Sequence, residues 1–274
     1  MDSSTRARIA RLSEDAFWAL NSECGLIESG AMIGTILNVA GILIGGITGL
    51  IRRGPLSPAK ESYFKVTLGA FTVFYGLRLT WLSLNGSAWQ IFKQLLIAML
   101  ALMLGKMAGR LLHLQKMSNH LGRLARDRIV NAKPDDPQRV SEGFKTCAAL
   151  FCAAPLGILG AIQDGLSAYP YSLGIKAVMD GLATLGFVPL FGWGVMLAAL
   201  PVLALQGTLT LLSAHLLLPW LQTHPPGGLV DSINATGGLL VFCVALVILN
   251  LKKIELADYL PSLAMAPVIT WLFR

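Results

Sequence analysis

Hydrophobic residues run along this chain in long stretches that are separated by short polar links. The apolar segments fall at residues 33–51, 64–84, 91–113, 144–162, 172–191, 195–219, 233–250 and 259–273. Most of them approach the roughly 20 residues that an α-helix needs to cross a bilayer. The last is short for a full crossing, so we expect it to tilt or to be partly re-entrant. The pattern predicts an all-α fold, a polytopic transmembrane helical bundle of about seven or eight spans.

Positive charges are concentrated in alternate links of this pattern. The links after segments one, three and seven contain Arg52, Arg53, Lys60, Lys65, Lys116, Arg123, Arg126, Arg128, Lys133, Arg139, Lys252 and Lys253. The link LNGSA and the loops 163–171 and 220–232 contain neither Lys nor Arg. Because cytoplasmic loops carry the excess of Lys and Arg, an eight-span bundle places the basic links inside and both termini outside.

Residues 1–31 do not fit this arrangement. They carry Arg6, Arg8 and Arg11, yet the predicted topology places them outside, and they lack the apolar core of a signal peptide. Either this stretch is an exported tail, or translation starts near Met32. The second alternative agrees better with the charge rule.

The remaining chain divides into two blocks of predicted spans. Residues 32–113 form a three-span block and residues 144–274 a five-span block, joined by the basic connection 114–143. In that connection, apolar residues from Leu114 to Leu124 recur at helical spacing with basic residues between them. This spacing predicts a helix that lies in the cytoplasmic interface against anionic lipid.

The composition limits the classes of protein to which this chain can belong. Hydrophobic residues make up 54% of the chain and charged residues 14%, with a formal net charge of +7 and a mean hydropathy of +0.64. Membrane orientation explains the positive charge, so we expect membrane lipids as partners and no nucleic acid. The histidines and cysteines form no ligand cluster, and P-loop, dinucleotide-binding and nucleophile motifs are missing. We therefore expect no metal, no cofactor and no enzymatic activity.

Glycines mark one close helix contact. Gly41, Gly45 and Gly49 recur every four residues on one face of the first span. Small residues at this spacing let a second helix approach to backbone distance. The row predicts a tight helix seam, and it permits a homo-oligomer without requiring one.

The fifth apolar segment contains two charges that are costly in hydrocarbon. Lys176 and Asp180 are four residues apart, so their side chains share one helix face and can pair. A lone charge at that depth costs from roughly 2.5 kcal/mol upward. An intramembrane ionisable residue is by default a candidate for a transport path.

Other polar residues fall inside predicted spans. They are Asn38, Asp164, Gln206 and Asn234, and Pro201 before Gln206 suggests a helix break. Asn38 and Asn234 share the pattern N-x-x-G-x-L-(I/L), which indicates either an internal repeat or chance. In one interpretation all six polar residues line a cavity that opens outward. In the other, the ion pair only fixes helix packing and Asp164 caps a loop.

Several stretches resemble a known family. These are MIGTILNVAGILIGG, GFKTCAALFCAAPLGILGAIQDGL, SLGIKAVMDGLATL, LPVLALQGTLTLL and INATGGLLVFCVALVILNLKKIELADYLPSL. They are similar to the bacterial membrane protein family of YdfK and YqgA, domain of unknown function five hundred and fifty-four, over about residues 32–272. The resemblance implies a start near Met32 and names no substrate. The stretch CAAPLGILG departs from the family's usual pattern.

We therefore expect a multi-pass protein of the bacterial inner membrane that transports or conducts a small polar or charged solute, with H⁺ or Na⁺ as candidate coupling ions. In this interpretation Asp180 is the ion-responsive carboxylate, and Lys176 is its partner or an anion contact. Asn38, Asn234 and Gln206 are neutral ligands, and Asp164 is an outer gate or second carboxylate. The alternative is a scaffold or accessory protein whose ion pair is structural.

Overall fold

The computed structural model describes residues 31–52, 57–132, 137–223 and 227–273, so most of the predicted N-terminal tail lies outside the described residues. The elements are α1 (Ile33–Ile51), α2 (Pro58–Leu82), α3 (Ala88–Leu111), α4 (Leu114–Val130), α5 (Arg139–Ala153), α6 (Pro155–Ser167), α7 (Tyr171–Phe191), a 3₁₀-helix (Gly192–Ala198), α8 (Ala199–Leu212), a π-helical turn (Ser213–Leu217), α9 (Leu218–Thr223), α10 (Leu229–Ile248), α11 (Leu256–Tyr259) and α12 (Ser262–Leu272). The described ranges contain no strand, which confirms the all-α class.

Helices α1 and α7 form a parallel seam along a row of glycines. A Cβ added to Gly41 would collide with the carbonyl of Ala177, and a Cβ added to Gly45 would collide with the carbonyl of Gly181. Gly49 continues the row one turn later against the same helix. A side chain at these positions would push the two backbones apart, so the small residues set the distance between the helices.

Helices α2 and α10 form a second close pair, in the antiparallel sense. Gly69 near the start of α2 packs on Leu249 at the end of α10. Farther along α2, the hydroxyl of Thr80 donates to the carbonyl of Ala235, at 3.2 Å. Gly76 lies between these contacts and touches the backbone of α10. Glycine therefore allows backbone contact in both helix pairs.

The chain reverses direction between α7 and α8. Helix α8 runs antiparallel to α1, because Thr35 faces Thr210 at 3.3 Å while Asn38 bonds Gln206 at 3.0 Å. Helix α7 is parallel to α1, so α7 and α8 must run in opposite directions. The reversal falls at Gly192, whose φ of 71° lies in the left-handed region that glycine adopts without strain.

The basic links meet at one end of the bundle. Arg110 at the end of α3 pairs with Glu255 after α10, at 3.3 Å. Lys65 near the start of α2 lines the same cleft as Asn250, and Arg128 of α4 forms an ion pair with the start of α5. We call this the basic end. It gathers the links in which the sequence concentrates Lys and Arg.

The opposite end, which we call the uncharged end, contains the links without Lys or Arg. Helix α1 begins there, since Gly34 lies beside α6 near the end of that helix. Helix α12 also ends there, because it runs antiparallel to α3. Gly105 of α3 packs on Ser262 at the start of α12, and Ile97 packs on Ile269 near its end.

Within the described ranges, the helices run between the two ends eight times in alternating directions. By length and composition, four helices are suited to cross a membrane: Ile33–Ile51, Ala88–Leu111, Tyr171–Thr223 and Leu229–Ile248. The third of these is a 53-residue helical run that includes the reversal at Gly192. The pair α5 and α6 would add one more span. The polytopic helical class is confirmed, and complete crossing by α2 and α12 stays a prediction.

The fourth predicted segment, 144–162, is not one straight helix. Helices α5 and α6 meet at a 58° bend. Ala154 between them is extended, with ψ of 121°. Pro155 is the cause, since proline has no N–H to donate and disfavours helical geometry in the residue before it.

We expected a helix break at Pro201. The change of helix type lies two residues earlier, where the 3₁₀-helix ends at Ala198 and α8 begins at Ala199. Helix α8 runs unbroken from Ala199 through Gln206 to Leu212. Pro201 lies in the first turn of this helix, where an N–H has no intrahelical acceptor and its loss costs nothing.

A buried polar cluster as the candidate functional site

The ion pair of α7 lies inside the bundle. The ammonium of Lys176 donates to Oδ2 of Asp180 one turn away. Lys176 is 1% exposed and Asp180 is 7% exposed. On the far side, the ammonium lies 5.8 Å from the centre of the Phe151 ring. Each charge is therefore neutralised by the other and shielded from lipid.

Two amides adjoin this pair. Nδ2 of Asn38 on α1 donates to Oε1 of Gln206 on α8, at 3.0 Å. The Asn38 amide also lies beside the carboxylate of Asp180. Both amides are buried, and the other polar atom of each, Oδ1 of Asn38 and Nε2 of Gln206, has no hydrogen-bond partner. We call these two amides, together with Lys176 and Asp180, the central cluster.

The helix break lies beside the central cluster. A Cβ built on Gly157, in the first turn of α6, would lie 2.8 Å from Cε of Lys176 and 2.9 Å from Nε2 of Gln206. Ala154 at the N-cap makes no side-chain hydrogen bond. Pro155 has no N–H, and the N–H of Gly157 donates to the carbonyl of Ala154 at 2.9 Å. This helix end therefore acts on its surroundings chiefly through the positive end of the helix dipole. The structure thus brings an uncapped helix N-terminus to the ion pair.

Asp164 lies about two turns farther along α6, toward the uncharged end. Its Oδ2 accepts the backbone N–H of Gly34 at 3.0 Å, and its Oδ1 has no partner. Between Asp164 and the central cluster, Thr35 and Thr210 contact each other across α1 and α8. Buried polar side chains therefore continue from the central cluster toward the uncharged end.

Gln163 and Asn234 complete this outer group. Oε1 of Gln163 accepts the hydroxyl of Ser172 at 2.6 Å, and its Nε2 has no partner. Nδ2 of Asn234 donates to Oγ of Ser167 at 2.7 Å. Asn234 thus belongs to the outer group, while Asn38 belongs to the central cluster. The two asparagines of the proposed repeat share no hydrogen-bond partner.

A cleft of about 670 Å³ approaches the central cluster from the basic end. It lies between α2, α7 and α10, and its lining is mostly apolar. Glu61 and Lys65, which form an ion pair at 2.8 Å, lie among the lining residues near the basic end. Pro155 and Leu156 at the start of α6 also line the cleft. The cleft therefore reaches the residue next to Gly157.

The cavity that we predicted from the sequence takes a different form. None of the six predicted residues lines the cleft, and all six are buried. The expected outward-opening cavity is replaced by a closed polar interior, and the cleft approaches from the opposite, basic end.

The sequence interpretation missed several residues of this region. They are Thr35, Pro155, Gly157, Gln163, Ser172 and Thr210. Pro155 inside an apolar segment was a usable signal, because proline in a transmembrane helix frees backbone groups. The threonines and the serine carried no such signal, since short hydroxyl side chains commonly bond their own helix backbone.

The outside of the bundle defines the class of protein. Large apolar side chains are exposed along the helices, including Phe71, Trp81, Trp89, Met103 and Met107. A helical bundle with an apolar exterior and buried polar residues is a polytopic membrane protein. Comparison with known families then identifies the chain as a member of the family described as Protein of unknown function (DUF554), which matches residues 33–271.

Two relatives extend over most of the chain. It is 27% identical over 244 residues to the uncharacterized membrane protein YdfK of Bacillus subtilis (strain 168), covering 89% of this chain and 97% of that protein. It is 29% identical over 239 residues to the uncharacterized protein YqgA of Escherichia coli (strain K12), covering 86% and 94%. No solved structure matches the chain. The family resemblance seen in the sequence is confirmed.

Proposed function

We propose that this membrane protein is a transporter of a small polar or charged solute, with the central cluster as its binding site. The observation that carries the proposal is the coincidence of the helix break at Ala154 with the Lys176–Asp180 pair. Transporters commonly build their sites from interrupted helices near the middle of the bilayer, where the freed helix ends contact the solute.

Stability alone gives a weak reason for this arrangement. A buried ion pair is often no more stabilising than apolar side chains of similar volume. Unpartnered buried groups add a further cost, and the cluster contains two, Oδ1 of Asn38 and Nε2 of Gln206. Buried polar groups normally have hydrogen-bond partners, so the two unpartnered amide atoms need an explanation. A bound solute would supply the missing hydrogen bonds.

The two ends of the protein suggest how the solute moves. The cleft gives access from the basic end as far as Leu156, whereas the outer group around Asp164 closes the path toward the uncharged end. This corresponds to a state that is closed on one side. Separation of α1 from α6 and α8 would break the bonds of Asp164 and Gln206 and open the other side.

In this proposal Asp180 responds to a coupling ion and Lys176 is its partner. Asn38 and Gln206 are neutral ligands, and Asp164 and Asn234 form the outer gate. The protein lies in the bacterial inner membrane with its basic end in the cytoplasm, as the distribution of Lys and Arg favours. Membrane lipids and a small solute are its proposed partners.

A scaffold or accessory role is the second candidate. The observation in its favour is that Lys176 and Asp180 are 1% and 7% exposed, so the pair is sealed in this state. A register-fixing ion pair would look the same.

Flux into proteoliposomes distinguishes these functions. The purified protein is reconstituted and offered a panel of radiolabelled amino acids, organic acids and monovalent ions, with protein-free vesicles as blank. The transporter proposal expects uptake of at least one class and its loss in Asp180→Asn. Absence of uptake across the panel, or uptake that Asp180→Asn leaves unchanged, would contradict it and favour the scaffold.

A further inference from the structure

We propose that the central cluster binds a monovalent anion together with one proton: the anion replaces Asp180 as the partner of Lys176, and the proton neutralises Asp180. The inference rests on the proposed transport function and names its substrate class and coupling ion. It follows from which hydrogen-bonding groups converge at Gly157 and which of them are unused.

Donors predominate at this point of the bundle. Nε2 of Gln206 has no partner, although the residue is only 1% exposed, and it lies against the first turn of α6. The stem of Lys176 lies over the same Gly157. The uncapped N-terminus of α6 adds the positive end of a 13-residue helix. A helix N-terminus with an ammonium and a free amide N–H is suited to a carboxylate, halide or nitrate.

The acceptors at the same place fit a proton better than a metal cation. Asp180 supplies the carboxylate of the cluster, and Lys176 already occupies one of its oxygens. The unpartnered acceptor is Oδ1 of Asn38, in the amide beside that carboxylate. The Asn38 amide bonds the ionised carboxylate through its N–H, because an ionised carboxylate only accepts. A protonated Asp180 has an O–H to donate, and Oδ1 of Asn38 would accept it after the amide turns. Both unused amide atoms thus acquire partners when one anion and one proton bind together.

The exchange balances in charge. In the empty site Lys176 is positive and Asp180 is negative, so the pair is neutral. After loading, Lys176 is positive, Asp180 carries the proton and is neutral, and the anion supplies the negative charge. No charge is left unpaired in either state, which avoids the large cost of a lone buried charge. Entry of the anion alone would leave two negative groups competing for one ammonium.

Other ionisable groups near α7 must be considered in this scheme. Those on the elements packed against it are Arg139, Glu142, Lys145, Cys147 and Cys152 on α5, Asp164 on α6, and Lys60, Glu61, Tyr63, Lys65, Tyr75 and Arg78 on α2. Glu61 and Lys65 pair with each other near the basic end. Arg78 lies 5.7 Å from the Tyr171 ring near the uncharged end. Helix α1 has no ionisable residue, and the amide of Asn38 on that helix contacts Asp180; Gln206 of α8 bonds Asn38.

Anion binding to the purified full-length protein tests the inference. Sodium acetate, chloride and nitrate are titrated calorimetrically into the protein in two buffers of different ionisation heat. The difference in heat gives the protons taken up per anion. We expect binding of at least one probe with uptake of about one proton, and affinity that falls about tenfold per pH unit where Asp180 is ionised in the empty protein.

Substitutions show which side chain takes up the proton and which side chain binds the anion. Asp180→Asn mimics the protonated carboxyl, so it should bind the anion without proton uptake and without pH dependence. The anion should also raise its melting temperature more than that of the unmodified protein, because Lys176 has lost its partner. Gln206→Met, which keeps the side-chain volume, should weaken binding about tenfold or more. The matched control is Gln94→Met on α3, whose side chain bonds the backbone at Asn85 away from both the central cluster and the outer group, and which should bind as the unmodified protein does.

Three results would overturn the inference while leaving the transport proposal intact. These are anion binding without proton uptake, equal losses in the Gln206 and Gln94 variants, and Asp180-dependent flux of a cation or neutral solute with no binding of any anion. Absence of both flux and binding would reject the transport proposal itself.

Discussion

Gly157 of α6 lies directly beneath the side chain of Lys176: a methyl group on this glycine would be 2.8 Å from Cε of the lysine. The contact joins the broken helix to the ion pair of α7. The nearest atoms are ends of flexible side chains, so Gly157→Ala can be accommodated by moving Lys176 and Gln206 rather than the backbone.

We therefore predict that Gly157→Ala folds and loses transport. Displacing a binding group by about 1 Å can reduce a rate by roughly a hundredfold. Solute flux and thermal melting of the same preparation measure both effects. Gly174→Ala on α7 is the control, because no atom lies within 4 Å of its Cβ position, and it should retain flux. Equal flux in both variants would show that Gly157 does not belong to the binding site.

The seam between α1 and α7 gives a prediction about stability. A Cβ on Gly45 would collide with the carbonyl of Gly181, which is rigid backbone. Gly45→Ala should therefore lower the free energy of unfolding by about 1–3 kcal/mol. Denaturant unfolding in detergent measures it. Gly186→Ala, where the added methyl meets nothing within 4 Å, should be neutral, and a similar loss in both would show that the seam is not tight.

The ion pair should show strong coupling between its two members. Lys176→Met alone leaves Asp180 buried without a partner, and breaking such a pair costs about 3–5 kcal/mol. The double variant Lys176→Met with Asp180→Asn removes both charges and should regain most of that stability. Thermal unfolding of the single and double variants gives the coupling free energy. Additive losses would mean that the two charges do not stabilise each other.

The orientation of the bundle can be tested by labelling. After replacement of the four native cysteines, Ala88→Cys at the uncharged end should react with an impermeant maleimide in intact cells with the outer membrane permeabilised. Lys252→Cys at the basic end should react only after the inner membrane is opened. The reverse pattern would invert the topology, since the basic links would then face outward.

Most of the architecture could be predicted from local patterns. Apolar length located the long apolar helices, and the distribution of Lys and Arg anticipated which links would meet at one end. The glycine row from Gly41 to Gly49 pointed to a close helix contact, though not to α7 as the partner. Partner choice depends on complementary surfaces from distant parts of the chain, and one sequence does not display these.

The polar interior was harder to predict. The i, i+4 spacing of Lys176 and Asp180 indicated their pairing, because helix geometry alone brings them together. The meeting of Asn38 with Gln206 depends on the register between α1 and α8, which side-chain packing sets. The break at Ala154 was missed because the segment's uniform hydropathy masked the effect of Pro155 on its backbone.

Whether the central cluster becomes accessible from the cleft tests the proposed function most directly. Single cysteines at Gln206 in the cluster, Met179 in the cleft and Leu240 in the apolar core are treated with a small, water-soluble methanethiosulfonate. The transporter proposal predicts reaction of Met179→Cys, slower reaction of Gln206→Cys as the site opens, and none of Leu240→Cys. A thiol at Gln206 that stays as unreactive as the one at Leu240, while Met179→Cys reacts, would contradict it.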